Sequence, residues 1–263
     1  MNKGDICTNV DKSQLKFRFF QIYRCYQFLI LSYLRSCMTD FRFSASIQGL
    51  IFDLDGVLVD TRPYHLAAWS RLAAQLGVEI DASHNEVLRG LSRMESLEKI
   101  LEWGNLYCSE AEKLHWSDVK NNWYIDAITR MSPEEVLPGV RSFLETCKSV
   151  GKKMAVVSSS KNARTVLQST ELEPLFDAVV DGTMFKKSKP APDVFWVAAE
   201  LIGCTPDACV VFEDAPSGVS AAKKEGFWTV GVGIHRALCE SNWRVSGFEQ
   251  LTPIFEEQHS EIE

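Results

Sequence analysis

Gly49-Leu50-Ile51-Phe52-Asp53-Leu54-Asp55-Gly56-Val57-Leu58-Val59-Asp60-Thr61 carries an apolar run into two carboxylates and then into a glycine turn. An unbroken apolar run of this length suits a strand covered on both faces, as in a parallel sheet. Asp53 and Asp55 stand two residues apart at its end. If a turn at Gly56 breaks the strand's alternation, both side chains can serve one cavity, one attacking while the other moves protons. The other use of such a stretch is a calcium loop. An EF-hand loop has its glycine sixth and a ligand fifth, whereas Gly56 is fourth from Asp53.

Outward from this stretch the same pattern repeats. Met154-Ala155-Val156-Val157, Ala178-Val179-Val180, Cys209-Val210-Val211-Phe212 and Trp228-Thr229-Val230-Gly231-Val232 read as further buried strands, alternating with helical patterns. That alternation predicts an α/β fold with a parallel sheet. Ligands of open α/β sheets bind at the carboxyl ends of the strands, so Asp53, Ser158, Asp181 and Glu213-Asp214 are expected along one edge. Between the first two strands lie about a hundred residues without a convincing strand, far beyond a single crossover. Helical periodicity there puts Trp69, Leu72 and Leu76 on one face, and Leu97, Ile100 and Leu101 on another. We expect a helical cap over residues 62–133 inserted into a core of residues 47–61 and 134–257, with Leu137-Pro138-Gly139 marking the return.

Composition narrows the classes. The 263 residues are 46% hydrophobic and 24% charged with a net charge of −7, which suits a globular protein and argues against a nonspecific grip on nucleic acid. The eight cysteines are scattered without a C-x-x-C pair, so a reduced, cytoplasmic setting is expected. Residues 1–46 read as an N-terminal extension, poorly ordered or belonging to an upstream start, with Met38 as the alternative start. Its uncharged run Cys25–Leu34 is short of the ~20 apolar residues a bilayer requires. An export signal or membrane anchor is the competing reading of that segment, and no membrane partner is expected.

Three more clusters carry chemistry. Ser158-Ser159-Ser160-Lys161-Asn162 ends the second strand and opens a helix, where hydroxyls and free N–H groups can seat an anion or merely cap the helix. Lys189, in Ser188-Lys189-Pro190-Ala191-Pro192-Asp193, sits in a loop stiffened by two prolines and can balance a carboxylate and a phosphate together. Glu213-Asp214 ends a wholly apolar strand, where paired carboxylates are costly unless a cation neutralises them. Hard oxygen donors beside a phosphate seat point to Mg²⁺.

In this order and at these strand ends, the four clusters resemble the motifs of the haloacid-dehalogenase superfamily. The resemblance covers residues 48 to about 251. It implies a modified Rossmann core with a mobile cap. By it, Asp53 is a nucleophile that forms an aspartyl-phosphate and Asp55 the general acid/base. Ser158 and Lys189 are phosphate ligands, and Mg²⁺ is held by Asp53, the backbone carbonyl of Asp55, Glu213 and Asp214.

Thr61-Arg62-Pro63-Tyr64-His65-Leu66-Ala67-Ala68-Trp69 and Arg89-Gly90-Leu91-Ser92-Arg93 are further similar to the hinge and cap loop of the β-phosphoglucomutases within that superfamily. That resemblance implies interconversion of β-glucose 1-phosphate and glucose 6-phosphate through a bound bisphosphate. The expected partner is a small sugar phosphate and the expected state a monomer. Substrate contacts would come from Thr61, His65, Arg89, Gly90, Arg93, Lys120, Ser159, Ser160, Lys161 and Asn162, with Arg93 gripping the phosphate not in transfer. Arg89 departs from the family's lysine, and an arginine is not the same compact donor. On spacing alone His65 is equally a core histidine beside Trp69 and Leu72, and Arg93 a surface arginine paired with Glu95 or solvent. A sugar-phosphate phosphatase is the alternative activity, and a noncatalytic Mg²⁺- and phosphate-binding module the alternative class.

Overall fold

The computed structural model describes residues 46–88, 91–187, 189–233, 236–253 and 255. The reading of residues 1–46 therefore lies, Ser46 apart, outside the described residues, as do Arg89 and Gly90. Six parallel strands form one sheet: β1 (Gly49–Asp53), β2 (Lys153–Val157), β3 (Ala178–Val180), β4 (Cys209–Glu213), β5 (Trp228–Val232) and β6 (Trp243–Val245). Their order is β3-β2-β1-β4-β5-β6. The chain winds one way from β1 and then returns to wind the other, so the crevice at the carboxyl end of β1 is the topological switch point. The register sets Asp53 opposite Val157 and Phe52 opposite Phe212, which brings Ser158 and Glu213 to the flanks of Asp53.

Both sheet faces are covered, and the strands' alternation shows how. Ile51, Val157 and Val211 pack with Val194, Phe195 and Ala198 on one side. Phe52 stacks on Phe212 at 4.6 Å between ring centroids, and Phe143 meets both edge-on. Full burial of such a ring stabilises the fold by about 1.5–3 kcal/mol.

Four helices intervene between β1 and β2: α1 (Arg62–Gln75), α2 (Ala82–Leu88), α3 (Arg93–Trp103) and α4 (Glu110–Ile128). They bury a core of their own, in which Trp69, Leu72, Leu97, Ile100 and Leu101 meet and Leu76 is partly buried. Ser92 and Ser109 start α3 and α4 with reciprocal caps. Glu95 Oε2 accepts the Ser92 N–H at 2.7 Å and Glu112 Oε2 that of Ser109 at 2.8 Å, while each serine oxygen accepts the glutamate's own N–H. Glu95 thus caps the start of α3. The chain leaves and re-enters the core by adjacent paths, since Val59 bridges Val136 and the Leu137 N–H donates to the Leu58 carbonyl at 2.9 Å. The return helix is α5 (Val140–Ser149), followed by α6 (Ala163–Ser169), α7 (Asp193–Leu201) and α8 (Pro216–Lys224). No described helix is long and apolar enough to cross a membrane.

Candidate active site

Asp53 ends β1 with 8% of its surface exposed, and the chain then turns sharply. The Gly56 N–H donates to the Val59 carbonyl at 2.7 Å and the Leu58 N–H to the Leu54 carbonyl at 3.0 Å. Gly56 has φ +82°, and a Cβ there would lie 2.2 Å from an Asp214 carboxylate oxygen. Gly218 in α8 plays the same part for Glu213, whose Oε2 would meet its Cβ at 2.2 Å. The two glycines make the space that the acidic pair occupies.

One ammonium joins two of these carboxylates. Lys189 Nζ donates to Asp53 Oδ1 at 2.5 Å and to Glu213 Oε2 at 2.6 Å. Burial alone would depress the lysine, but the charges of Asp53 and Glu213 hold it above its ordinary range. Glu213, 1% exposed, is pushed up by burial and then by the Asp53 charge. Its Oε1 accepts the Ala215 N–H at 3.2 Å. Asp53, Glu213 and Asp214 each offer an oxygen, and these lie within 4.8 Å of one another. With Asp55 beside them the acids outnumber the ammonium, and three hard oxygen donors converging under a negative surplus fit a divalent cation such as Mg²⁺.

Asp55 faces a different set of groups. Thr61 Oγ1 donates to its Oδ1 and Ser158 Oγ to its Oδ2 at 3.5 Å. Burial, and after it the charge of Asp53, raises this carboxyl to about 6. A carboxyl poised there can give or take a proton near neutrality. Ser158, 1% exposed, is fixed by its N–H on the Val180 carbonyl at 2.9 Å, while its Oγ accepts the Ser160 N–H at 3.0 Å. Ser160 Oγ in turn accepts the Asn162 N–H at 3.1 Å. Ser159 and Lys161 of the same loop are exposed. Asp181 follows β3 on this sheet edge as expected, but its carboxylate is taken by Thr183, whose N–H it accepts at 2.8 Å.

The inserted helices contribute a cluster of the opposite sign. Lys120 on α4 is 2% exposed, with Nζ 3.0 Å from His65 Nδ1 and 4.5 Å from the Trp69 ring centre. The His65 ring stacks on Tyr124 at 4.0 Å. Burial, then the charges of Lys120 and Arg93, lowers His65 to about 3, so its ring is neutral near neutral pH. Burial and Arg93 lower Lys120 to about 7. Arg93, partly buried, is itself drawn down by burial against the pull of Asp118. His65 thus has a polar partner in Lys120 and an aromatic one in Tyr124, as a satisfied histidine would.

Two residues of this region escaped the sequence reading. Asn121 Oδ1 accepts from Asn162 Nδ2 at 3.1 Å, and Tyr124, 1% exposed, lays its ring on His65. Their spacing of three on a helix next to Lys120 was the available signal.

Residues 47–226 match the family described as haloacid dehalogenase-like hydrolase. A β-phosphoglucomutase of Bacillus subtilis is 38% identical over 208 residues, 78% of this chain and 92% of its own length. The crystal structure of a β-phosphoglucomutase from Clostridium difficile superposes with a TM-score of 0.73 at 39% identity, covering 82% of this chain and 98% of that one. A phosphorylated carbohydrates phosphatase of Thermotoga maritima is 31% identical over 192 residues, 72% of this chain and 86% of its own. With its acidic strand ends, bridging lysine and inserted helices, the chain belongs to the haloacid dehalogenase-like hydrolase family.

Proposed function

We propose that the protein is a β-phosphoglucomutase, converting β-glucose 1-phosphate to glucose 6-phosphate through an aspartyl-phosphate and a β-glucose 1,6-bisphosphate. The observation that carries this reading is the buried cationic cluster of Arg93 and Lys120 on the inserted helices, distinct from the Lys189 ammonium that serves the core carboxylates. A hydrolase acting on a monophosphate has one phosphate to neutralise. A mutase must hold a second one while the first is transferred.

Asp53 attacks the phosphorus, with Lys189 and Ser158 neutralising and orienting the phosphoryl oxygens. Asp55 takes the proton of the attacking sugar hydroxyl, and in the other direction returns it to the leaving oxygen. Mg²⁺ would be held by Asp53, Glu213 and Asp214, with the Asp55 backbone carbonyl, and would draw off charge from the transferring group. Arg93 and Lys120 hold the far end of the substrate, and Arg89 and Gly90, which precede Arg93 in the sequence, join them in this reading. Thr61, His65 and the loop Ser159 to Asn162 frame the sugar between core and cap. The core of residues 47–61 and 134–257 thus supplies the chemistry, and the insertion of residues 62–133 the choice of acceptor.

The test is incubation with β-glucose 1-phosphate, Mg²⁺ and a trace of the bisphosphate, following glucose 6-phosphate and free phosphate separately. Glucose 6-phosphate in large excess over phosphate is expected. Phosphate as the sole product would establish a sugar-phosphate phosphatase, the activity named for the Thermotoga maritima relative.

A further inference from the structure

At the amino end of the sheet, opposite the acidic strand ends, two thiols meet. Helix α7 stops at Leu201, and the chain turns back through Gly203, whose φ of +69° is left-handed. The Gly203 N–H donates to the Glu200 carbonyl at 3.1 Å and the Cys204 N–H to the Ala199 carbonyl at 3.0 Å, the pair of bonds that ends a helix at a glycine. That turn carries Cys204 onto the start of the sheet, where it packs partly buried against the layer of Ile51, Ile202, Cys209 and Val211. Its S–H donates weakly to the Ile202 carbonyl at 3.7 Å. After Thr205, a single 3-10 turn over Pro206–Ala208 leads into β4, whose first residue is the buried Cys209. The register sets Cys209 beside Gly49, the first residue of β1. A Cβ on Gly49 would lie 2.6 Å from Cys209 Sγ and 3.2 Å from Cys204 Sγ, so both sulfurs occupy the space over one α-carbon that glycine leaves open. A buried thiol by itself is a small apolar group. Two that share one space, one of them partly exposed, have a second use.

We propose that Cys204 and Cys209 form a redox-active dithiol, which a small-molecule disulfide oxidises to an intramolecular disulfide. Cys204, the partly exposed partner, gives its proton to solvent, and its sulfur attacks one sulfur of the external disulfide. The external S–S bond breaks, and one thiol leaves with a proton taken from water. The Cys209 sulfur, deprotonated in turn, displaces the second thiol from Cys204 and closes the protein S–S bond. Two protein thiols are oxidised and one external disulfide is reduced to two thiols, with no further reactant. Burial raises both protein thiols, Cys209 to about 12, so the exchange is slow near neutrality and quickens as the pH rises. Asp53 and Glu213 lie at the other ends of the same two strands, roughly 13 Å away, so the pair is independent of the mutase reading.

The test treats the reduced, full-length protein with oxidised glutathione, then unfolds it, alkylates the remaining thiols and digests it with trypsin for mass spectrometry. Residues 188–223 form one tryptic peptide, because Lys189 precedes a proline, and Cys204 and Cys209 are its two cysteines. In the wild type this peptide is expected to lose two hydrogens and to carry neither an alkyl group nor glutathione. Reduction with dithiothreitol before alkylation should restore both labels. Closure should run about tenfold faster at pH 8 than at pH 7, as the thiolate fraction does. In Cys204→Ser, Cys209 should be alkylated in full, since the thiol that starts the exchange is gone. A wild-type peptide with both cysteines alkylated, or with glutathione left on Cys204, would overturn the proposal, as would glutathione on Cys209 in the variant.

Discussion

The carboxyl end of the sheet and the inner face of the inserted helices hold opposite charges by opposite means. In the core, acids gather at strand ends whose places are fixed by a shared register, and a single lysine bridges Asp53 and Glu213. In the insertion, Lys120 and its neutral partner His65 lie among the rings of Trp69 and Tyr124, on helices joined to the core by two adjacent strands of chain. In the function proposed above, the first arrangement makes the bond and the second chooses what receives the phosphate.

The sharpest break in this contrast is Asp53→Asn, which replaces the proposed attacking oxygen by a poor nucleophile of the same shape. Phosphoenzyme formation should fall at least about 1000-fold with the melting temperature little changed. Mass spectrometry of the protein after acetyl phosphate treatment checks it, and a phosphorylated variant would remove Asp53 from its role.

A smaller effect separates the insertion's electrostatics from the core's. Lys120 titrates at about 7 in the folded protein, whereas an exposed lysine does so near 10. Below pH 7 both states are protonated and the burial cost is present in full. Between pH 7 and about 10 the unfolded chain binds the extra proton, so stability rises with pH. From pH 7 to 9 this amounts to roughly 2 kcal/mol. Urea unfolding at the two pH values should show the rise in the wild type and lose it in Lys120→Met, while an identical rise in both would assign it to other groups.

The smallest effect concerns the support of Arg93. Ser92→Ala removes one arm of the capping box at the start of α3 and should cost about 1 kcal/mol, or about 2–4 °C in melting temperature. Calorimetry reads this directly. A change under half a degree would mean that packing of Leu97 and Ile100, rather than the cap, fixes where α3 begins.

What could be read beforehand follows the same divide. The core is written in contiguous stretches: apolar runs give the strands, and the residue after each run is the one that reaches the candidate site, as at Asp53, Ser158 and Glu213. β6 was not legible, because Trp243-Arg244-Val245 is three residues long, carries a charge, and lies at the sheet edge where burial is incomplete. Asp181 looked like the other strand-end acids, but a threonine two residues on captures its carboxylate. In the insertion the helices were visible from their periodicity, yet Asn121 and Tyr124 matter through residues far away in sequence. Their spacing beside Lys120 marks a shared helix face, but no local pattern names the distant partners.

Arg93→Ala tests most directly whether the core moves the phosphate while the cationic insertion sends it to sugar. Transfer to glucose 1-phosphate and hydrolysis of acetyl phosphate, which has no second phosphate to hold, are measured on the same preparation. A charge-assisted, forked pair of hydrogen bonds to the transition state is worth about 2–4 kcal/mol, so without it transfer should fall about 30- to 1000-fold. Acetyl phosphate turnover should stay within about threefold of the wild type. Undiminished transfer, or equal losses in both reactions, would contradict the division of labour.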